Sequence, residues 1–220
     1  MDEGTSLFGI VIGAQADTTA QSAADILVDY VWRSTDVSLP RTSEASFAKR
    51  IVISTTAEDI DGFTPVSAAA LDQELGKEGF FIRVGREEVY IVGGYRGVIY
   101  GVFEFLEQFL GCRWYAEECV VVPRHTKVEL PVGKEIQQTP VFEYRETDWL
   151  SPRNPEYCAA NRINGNRRYI PEALGGNEGY TGGFVIPLRE CSRLNCFGRL
   201  TERSTPSAIL PERGPRNNFA

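Results

Sequence analysis

The chain has 220 residues, 42% of them hydrophobic, and its 23 basic and 30 acidic residues give a net charge of −7. This length and apolar content suffice to bury a core, which excludes a disordered or fibrous protein. The acidic balance, with a pI near 4.9, leaves no basic footprint for a polyanion. We therefore expect no nucleic-acid partner.

Export and cofactor signals are weak in this sequence. Asp2 and Glu3 stand where a secretory signal peptide has basic residues, and the apolar run 7–12 is shorter than a signal core, so localisation stays unknown. The five cysteines are scattered and fit neither a disulfide framework nor paired zinc knuckles. His125, the only histidine, has no neighbouring Cys or Asp cluster. We predict incidental thiols, no metal and no cofactor.

The first half of the chain alternates strand and helix signals. Residues 7–12 predict a strand, and Asp17 and Thr18 offer N-cap chemistry for a helix whose apolar positions recur at three and four. Residues 50–55 predict a second strand, and residues 78–94 predict two more strands joined by a turn.

A second amphipathic helix is predicted over residues 97–110. Its apolar residues fall at i, i+4, i+7, i+8 and i+11, while Glu104, Glu107 and Gln108 take the other face. Gly111 follows where a left-handed C-cap is wanted. About fourteen helical residues with two glutamates cannot cross a bilayer core, so we expect no membrane partner.

Three glycines at the start of this helix allow two interpretations. Gly94, Gly97 and Gly101 follow a strand and open a helix, as in a dinucleotide fold, but their spacing is GxxGxxxG rather than GxGxxG. Phosphate binding is therefore a weakly supported alternative. The other interpretation is that the glycines let the helix lie close to the sheet.

The pattern of predicted elements changes after residue 126. Residues 127–131 are expected to close the sheet, and residues 134–139 read as a polar linker before a proline. Residues 141–149 then alternate as a strand, with Glu143 and Arg145 on one face. Such a strand belongs to a barrel that lines a site, or to a solvated sheet edge.

The order of several motifs resembles a known family. These motifs are "AADILVDYV", "EGFFIRV", "GGYRGVIYGVFEFLEQFLGCRWY", "VVVP" and "TPVFEYRETDW". Together, over residues 7 to about 185, they resemble the chitobiase/β-hexosaminidase domain 2-like domain. That domain precedes the catalytic barrel in family 20 β-hexosaminidases and family 67 α-glucuronidases. The most specific part is the helix followed by "LGCRWY".

The resemblance implies an α+β fold, a small mixed sheet with two helices packed on one face. The first strand of a truncated (β/α)8 barrel would follow, at residues 141–147. The implied organisation is an accessory domain over 1–133, a linker over 134–139, an incomplete barrel domain over 140–185 and an irregular tail over 186–220.

The resemblance also implies a substrate-binding role for Arg145, since an arginine at the end of that strand holds hydroxyls of the terminal sugar. A guanidinium can bridge two adjacent hydroxyls through its fork of donors. The alternative for Arg145 is a salt bridge to Glu143 or Glu146 at the domain junction.

Three aromatic residues, Trp114, Tyr115 and Trp149, are candidates for stacking on sugar faces. Trp149 is predicted, with Arg145, as a substrate-binding residue. The alternative for the aromatics is packing at the domain junction, because large aromatic side chains dominate such cores.

No catalytic residue is predicted. Glycoside hydrolysis requires two carboxyl groups that flank the scissile bond, and in this family group they come from later barrel strands. Glu143, Glu146 and Asp148, the acids near the predicted site, are expected to have structural or positioning roles. The predicted function is a non-catalytic accessory domain of a glycoside hydrolase-like protein, with carbohydrate as partner through the barrel. The alternative is a stand-alone glycan-binding or protein-interaction module.

The tail differs in composition from the rest of the chain. Residues 185–220 hold six arginines and three glutamates, which leaves 17 basic and 27 acidic residues before them. Restoring one base after Val185 would recover a Val-His-Ser and a His-Pro-Glu sequence, both similar to motifs of the relatives. We therefore hypothesise that residues 186–220 are a frameshifted translation, which the coding DNA can test.

Overall fold

The computed structural model describes residues 6–13, 17–42, 47–147, 154–165 and 169–179. They lie in one compact unit, Met1–Tyr180, whereas the second unit, Thr181–Ala220, falls outside the described residues. The frameshift hypothesis and the proposed domain limits therefore stay predictions.

Strands and helices alternate along most of the described chain. The strands are β1 Phe8–Ile12, β2 Arg41–Thr42, β3 Lys49–Ser54, β4 Phe80–Val84, β5 Glu88–Gly93, β6 Arg113–Ala116, β7 Cys119–Val121 and β8 Glu135–Gln138. The helices are α1 Thr18–Thr35, α2 Pro65–Leu75, α3 Gly97–Leu110 and α4 Pro155–Ala160, with short 3₁₀ turns at Ala57–Asp59 and Glu172–Leu174.

Six of the strands form one mixed sheet in the order β2-β1-β3-β5-β4-β8. The β2–β1, β1–β3 and β3–β5 pairs are parallel, whereas β4 is antiparallel to both β5 and β8. β6 and β7 pair as a separate antiparallel hairpin. The mixed sheet with helices agrees with the predicted combination of helices and strands.

Helices cover both faces of the sheet. Ile51 and Ile53 of β3 pack in the core that contains α1 and α3, whereas Val52 packs in the core that contains α2. Successive side chains of a strand point to opposite faces, so α2 lies opposite α1 and α3. The prediction of two helices on one face is thus correct for α1 and α3, but it lacks the third helix.

Local sequence signals account for the start of α1 and the end of α3. Asp17 caps α1 through its Oδ1, which accepts from the backbone N–H groups of Thr19 and Ala20 at 2.9 and 3.1 Å. Gly111 ends α3 with a φ of 70°, and its N–H donates to the Leu106 carbonyl. A left-handed C-cap of this kind favours glycine.

Replacing Asp17 by alanine is expected to lower the free energy of unfolding by about 1 kcal/mol, because two N–H groups of the first turn lose their acceptor. Urea denaturation followed by circular dichroism measures the change. Gln21→Ala, at an exposed position of the same helix, is the control and should shift stability by less than about 0.5 kcal/mol. Equal losses in both variants would contradict the capping role of Asp17.

The strand that closes the sheet differs from the predicted one. Residues 127–131 form no strand, and Glu135–Gln138, inside the predicted linker 134–139, pairs with β4 as the edge strand β8. The register places Ile136 opposite Ile82, so the apolar residue of this polar stretch reaches the core. One inward apolar residue among polar neighbours is enough for an edge strand.

The predicted barrel strand at residues 141–147 is not a strand in the described structure. The Arg145 N–H donates to Asn164 Oδ1 at 2.8 Å, and the Arg145 carbonyl accepts from the N–H groups of Asn164 and Gly165. The backbone at this point therefore bonds to a loop instead of a neighbouring strand, and the start of a barrel is not confirmed.

None of the helices in the described ranges is both long and apolar enough to span a bilayer.

Candidate functional site

The glycine-rich turn between β5 and α3 packs against the loop that leads from α2 to β4. The N–H groups of Arg96 and Gly97 donate to the Lys77 carbonyl at 2.8 and 3.1 Å, and the Gly94 N–H donates to the Gly79 carbonyl at 3.1 Å. A Cβ on Gly97 would lie closer than 3.0 Å to that Gly79 carbonyl oxygen. The two loops can therefore approach each other only because these positions lack side chains.

This packing contradicts the phosphate-binding interpretation of the glycines. A phosphate site at a helix N-terminus needs free backbone N–H groups that face a cleft. Here the N–H groups of Gly94, Arg96, Gly97 and Val98 all donate to carbonyl oxygens of the protein. The other interpretation, close approach of the helix, is the correct one.

Glu78, in the loop before β4, is the centre of a polar cluster beside this turn. Its Oε1 accepts from Arg96 Nη1 at 2.5 Å and from Asn164 Nδ2 at 2.7 Å, and its Oε2 accepts from Arg145 Nη1 at 2.7 Å. We call these four residues the Glu78 network. The Glu78 side chain is only 13% exposed, so the two ion pairs are largely shielded from solvent.

Burial and hydrogen bonding act in opposite directions on the Glu78 carboxyl. Burial alone would raise its pKa, but hydrogen bonds from Arg145, Asn164 and Arg96 stabilise the charged form more strongly. The net result is a pKa below the usual value. Glu78 is therefore an anion at neutral pH and suits the role of acceptor, not of general acid.

The Arg145 guanidinium joins its own segment to Glu78, to helix α3 and to the loop at Arg162. Besides Glu78, its Nε donates to the Arg162 carbonyl at 2.6 Å, its Nη1 donates to the Phe142 carbonyl, and its Nη2 lies 3.3 Å from the Tyr100 hydroxyl. The sequence predicts, as the alternative for Arg145, an ion pair with Glu143 or Glu146. Arg145 does form an ion pair, but its partner carboxylate is Glu78.

Asn164 ties the segment around Arg145 to the same centre. Its fully buried side chain donates to Glu78 and to the Glu143 carbonyl, at 2.7 Å each, and accepts from the Arg145 N–H. An asparagine amide supplies two N–H donors and one acceptor oxygen, and in Asn164 both donors and the acceptor are used. The local sequence "NRINGN", residues 161–166, indicates only a turn and gives no sign of these contacts.

Arg96 extends the contacts to the last described segment. Its Nε donates to the Gly175 carbonyl at 2.8 Å, and its Nη1 also lies 3.3 Å from Glu178 Oε2. Nearby, the Tyr95 hydroxyl donates to Glu172 Oε2 at 2.5 Å. The start of α3 therefore holds residues far along the chain.

Glu104 makes a second buried link, between helix α3 and the later chain. It was predicted on the polar face of α3, yet it is buried and pairs with Arg162. It also accepts from Gln108 at 2.9 Å. Within the described part of the chain, every buried side-chain nitrogen and oxygen has a hydrogen-bond partner.

The candidate sugar-stacking aromatics do not form one exposed surface. Trp114 is 7% exposed and packs edge-on against Tyr30 and Phe103, and its indole N–H donates to the Tyr30 hydroxyl at 2.7 Å. Tyr115, the next residue of β6, is 59% exposed. Trp149 lies outside the described residues. The position of Trp114 matches the packing alternative, and the glycan-binding alternative stays a prediction.

The thiols and the histidine show no arrangement for metal chemistry in the described ranges. Cys112 and Cys119 are free thiols, and burial raises the pKa of the Cys112 thiol to about 11. His125 lies with its Nε2 2.9 Å from the Leu110 carbonyl. The described residues contain no group of three His, Cys, Asp or Glu side chains placed to hold a metal ion.

The turn, the Glu78 network and helix α3 fall in or beside a region that matches a known family. Residues 5–105 match the glycosyl hydrolase family 67 N-terminus. The resemblance expected from the sequence is confirmed by this match. The family 67 N-terminal region, as we call these residues, contains Glu78 and Arg96, whereas Arg145 and Asn164 lie beyond it.

Solved structures similar to the chain include three glycosidases of low sequence identity. A Streptomyces plicatus β-hexosaminidase is 18% identical with a TM-score of 0.41, and covers 62% of this chain and 23% of its own. The GH20 β-N-acetylhexosaminidase from Streptomyces coelicolor A3(2) is 20% identical with a TM-score of 0.42, and the match covers 64% of this chain and 24% of that chain. A family GH115 4-O-methyl-α-glucuronidase is 15% identical with a TM-score of 0.45, and the match covers 66% of this chain and 19% of that chain.

The chain therefore spans about a quarter or less of the length of each of these structures. No curated protein matches it.

Proposed function

We propose that this chain is a non-catalytic N-terminal accessory domain of a glycoside hydrolase-like protein, together with the beginning of the domain that follows. The observation that carries the proposal is the Glu78 network, which joins Glu78 and Arg96 of the family 67 N-terminal region to Arg145 and Asn164 beyond it. In this view the domain acts by docking.

The contacts of the Glu78 network support a fixed docking geometry. A carboxylate that accepts from two guanidinium groups and an amide restrains the angle between the segments that carry them. Burial strengthens each of these interactions, because less solvent screens the charges. Arg96 and Glu78 supply the family 67 N-terminal region's side, and Arg145 and Asn164 supply the other.

The acids near Arg145 support a non-catalytic role for this part of the chain. The Glu143 side chain is exposed, Glu146 accepts from the Tyr144 hydroxyl at 2.6 Å, and Asp148 lies outside the described residues. Hydrolysis needs one carboxyl group with a raised pKa as acid and a second as nucleophile or base. The one carboxyl of the network, Glu78, has its pKa shifted downward.

The partner in this proposal is carbohydrate, bound by the complete protein. Arg145 and Trp149 are kept as candidate substrate-binding residues. Arg145 would reach sugar hydroxyls with a guanidinium that Glu78 already holds in orientation. Burial lowers the pKa of this guanidinium, but the interactions with Glu78 and Tyr100 together more than offset burial, so the pKa of Arg145 is raised. Pre-oriented donors lose less entropy when a ligand binds.

The chain should release no chromophore from aryl β-N-acetylglucosaminides or aryl α-glucuronides above the rate in buffer. The assay uses the full 220-residue chain at micromolar concentration, with a complete β-hexosaminidase as positive control for the first substrate. Turnover that co-purifies with the chain and disappears in Glu143→Gln or Glu146→Gln would overturn the non-catalytic assignment.

A further inference from the structure

A largely apolar cavity lies at the end of the sheet opposite the Glu78 network. Its volume is about 400 Å³. The amino ends of β3 and β5, the carboxyl ends of α1 and α3 and the segment 128–132 surround it. The Glu78 network instead lies beside the carboxyl end of β5, so the two sites are separate.

The walls of the cavity are built from the core of the domain. They include Val37, Leu39, Ile51, Val89, Phe105 and Leu110, all of which are shielded from bulk solvent. At the mouth, Leu7 is 57% exposed and Val132 is 61% exposed. A pocket of this size with apolar walls is typical of small-molecule sites, which span about 300–1,000 Å³.

Two cationic side chains, Lys49 and Arg86, also line the cavity. Among the described residues, neither makes an ion pair with a carboxylate. Lys49 Nζ lies 5.5 Å from the centre of the Phe8 ring, which is another lining residue. The one carboxylate that lines the cavity, Glu129, already pairs with Lys127. The local charge therefore favours an anion, against the net charge of −7 for the whole chain.

We propose that this cavity binds an apolar monocarboxylate, with the hydrocarbon part against the core side chains and the carboxylate at Lys49 and Arg86. About 400 Å³ corresponds to roughly thirteen water-sized volumes, which fits an acyl chain of roughly ten carbons. The proposal is independent of the docking role of the Glu78 network.

The chemistry of the walls separates this ligand class from the carbohydrates of the proposed function. A sugar needs several hydrogen-bonding side chains around its hydroxyls, whereas the buried wall residues here carry only hydrocarbon. Burying a hydrocarbon chain gains free energy in proportion to its apolar area, and a single charged end group at the rim keeps its solvent contact.

Titration of the full chain with sodium decanoate, followed by isothermal calorimetry at pH 7.5, tests the proposal. We expect saturable binding at one site, with octanoate about tenfold weaker because two methylene groups are lost. Lys49→Gln and Arg86→Gln should each weaken decanoate binding several-fold and leave the binding of decanol, its neutral counterpart, unchanged.

Two variants control for fold and position. Val132→Trp alters an exposed residue at the mouth, so it should block binding while the unfolding curve stays the same. Lys77→Gln removes an exposed lysine beside the opposite end of β5 and should leave binding unchanged. Absence of saturable binding at millimolar decanoate would overturn the proposal. Equal affinity for decanoate and decanol would also overturn the proposal. Self-association of the chain that depends on concentration and is abolished by Val132→Trp would overturn it as well.

Discussion

Replacing Glu78 by glutamine should lower the free energy of unfolding by about 3 kcal/mol, because Arg96 and Arg145 would then stay largely buried without their counter-charge. Glutamine keeps the size of the side chain and one acceptor oxygen, so the loss reports charge rather than volume. Urea denaturation of the full chain at pH 7, followed by tryptophan fluorescence and circular dichroism, measures the difference.

The matched control is Glu74→Gln, which neutralises an exposed carboxylate four residues earlier. It should change stability by less than about 0.5 kcal/mol.

The pH dependence of the free energy of unfolding gives a second readout with a fixed sign. Since the folded pKa of Glu78 is lowered, its contribution is complete above the usual value of 4.5 and is lost as pH falls through the folded pKa. If Glu78→Gln retained that loss on acidification, another carboxylate would be responsible for it.

Replacing Gly97 by alanine should cost about 3 kcal/mol, because the new methyl group would clash with the Gly79 carbonyl oxygen. Alanine is the better helix former by about 1 kcal/mol, so intrinsic propensity alone would give the opposite sign. The clash is with backbone held by the hydrogen bonds of the two loops, so the neighbour cannot rotate away. Thermal and urea unfolding of the variant decide between the two effects.

Two other glycines bracket this result. A Cβ at Gly101 would meet the Ile91 Cγ2 at 3.0 Å and the Phe80 Cβ at 3.2 Å, which are longer contacts than the one with the backbone oxygen at Gly97, so Gly101→Ala should lose less than half as much as Gly97→Ala. A Cβ at Gly179 would meet nothing within 4 Å, so Gly179→Ala should leave stability unchanged. Stabilisation by Gly97→Ala would show that the loops separate easily and that close approach is not the role of this glycine.

The elements that the sequence predicted well are those with strong local signals. Helices α1 and α3 combine apolar periodicity with a cap, Asp17 at the start of the first and Gly111 at the end of the second, and the structure has both caps. Helix α2 was missed although Thr64 and Pro65 mark its start, because its buried residues, Ala68, Leu71 and Leu75, are few. Edge strand β8 was missed because one apolar residue, Ile136, gives no periodicity.

The candidate site could be predicted only in part. Arg145 was singled out through the family resemblance, and a junction ion pair was weighed for it, but Glu78 lies 67 positions away along the chain. Asn164 lies 86 positions from Glu78, in a stretch whose sequence indicates only a turn. Pairings over such distances depend on how the sheet brings loops together, and no local pattern encodes them. The apolar cavity was missed for the same reason.

The long separation within the Glu78 network also fixes an order of events during synthesis. Glu78 and Arg96 lie only 18 positions apart, so they leave the ribosome almost together. Arg145 follows Glu78 by 67 residues, or roughly 3 to 13 seconds of translation. The Glu78–Arg96 pair can thus form first on the nascent chain, and the later arginine docks onto a carboxylate that is already in place.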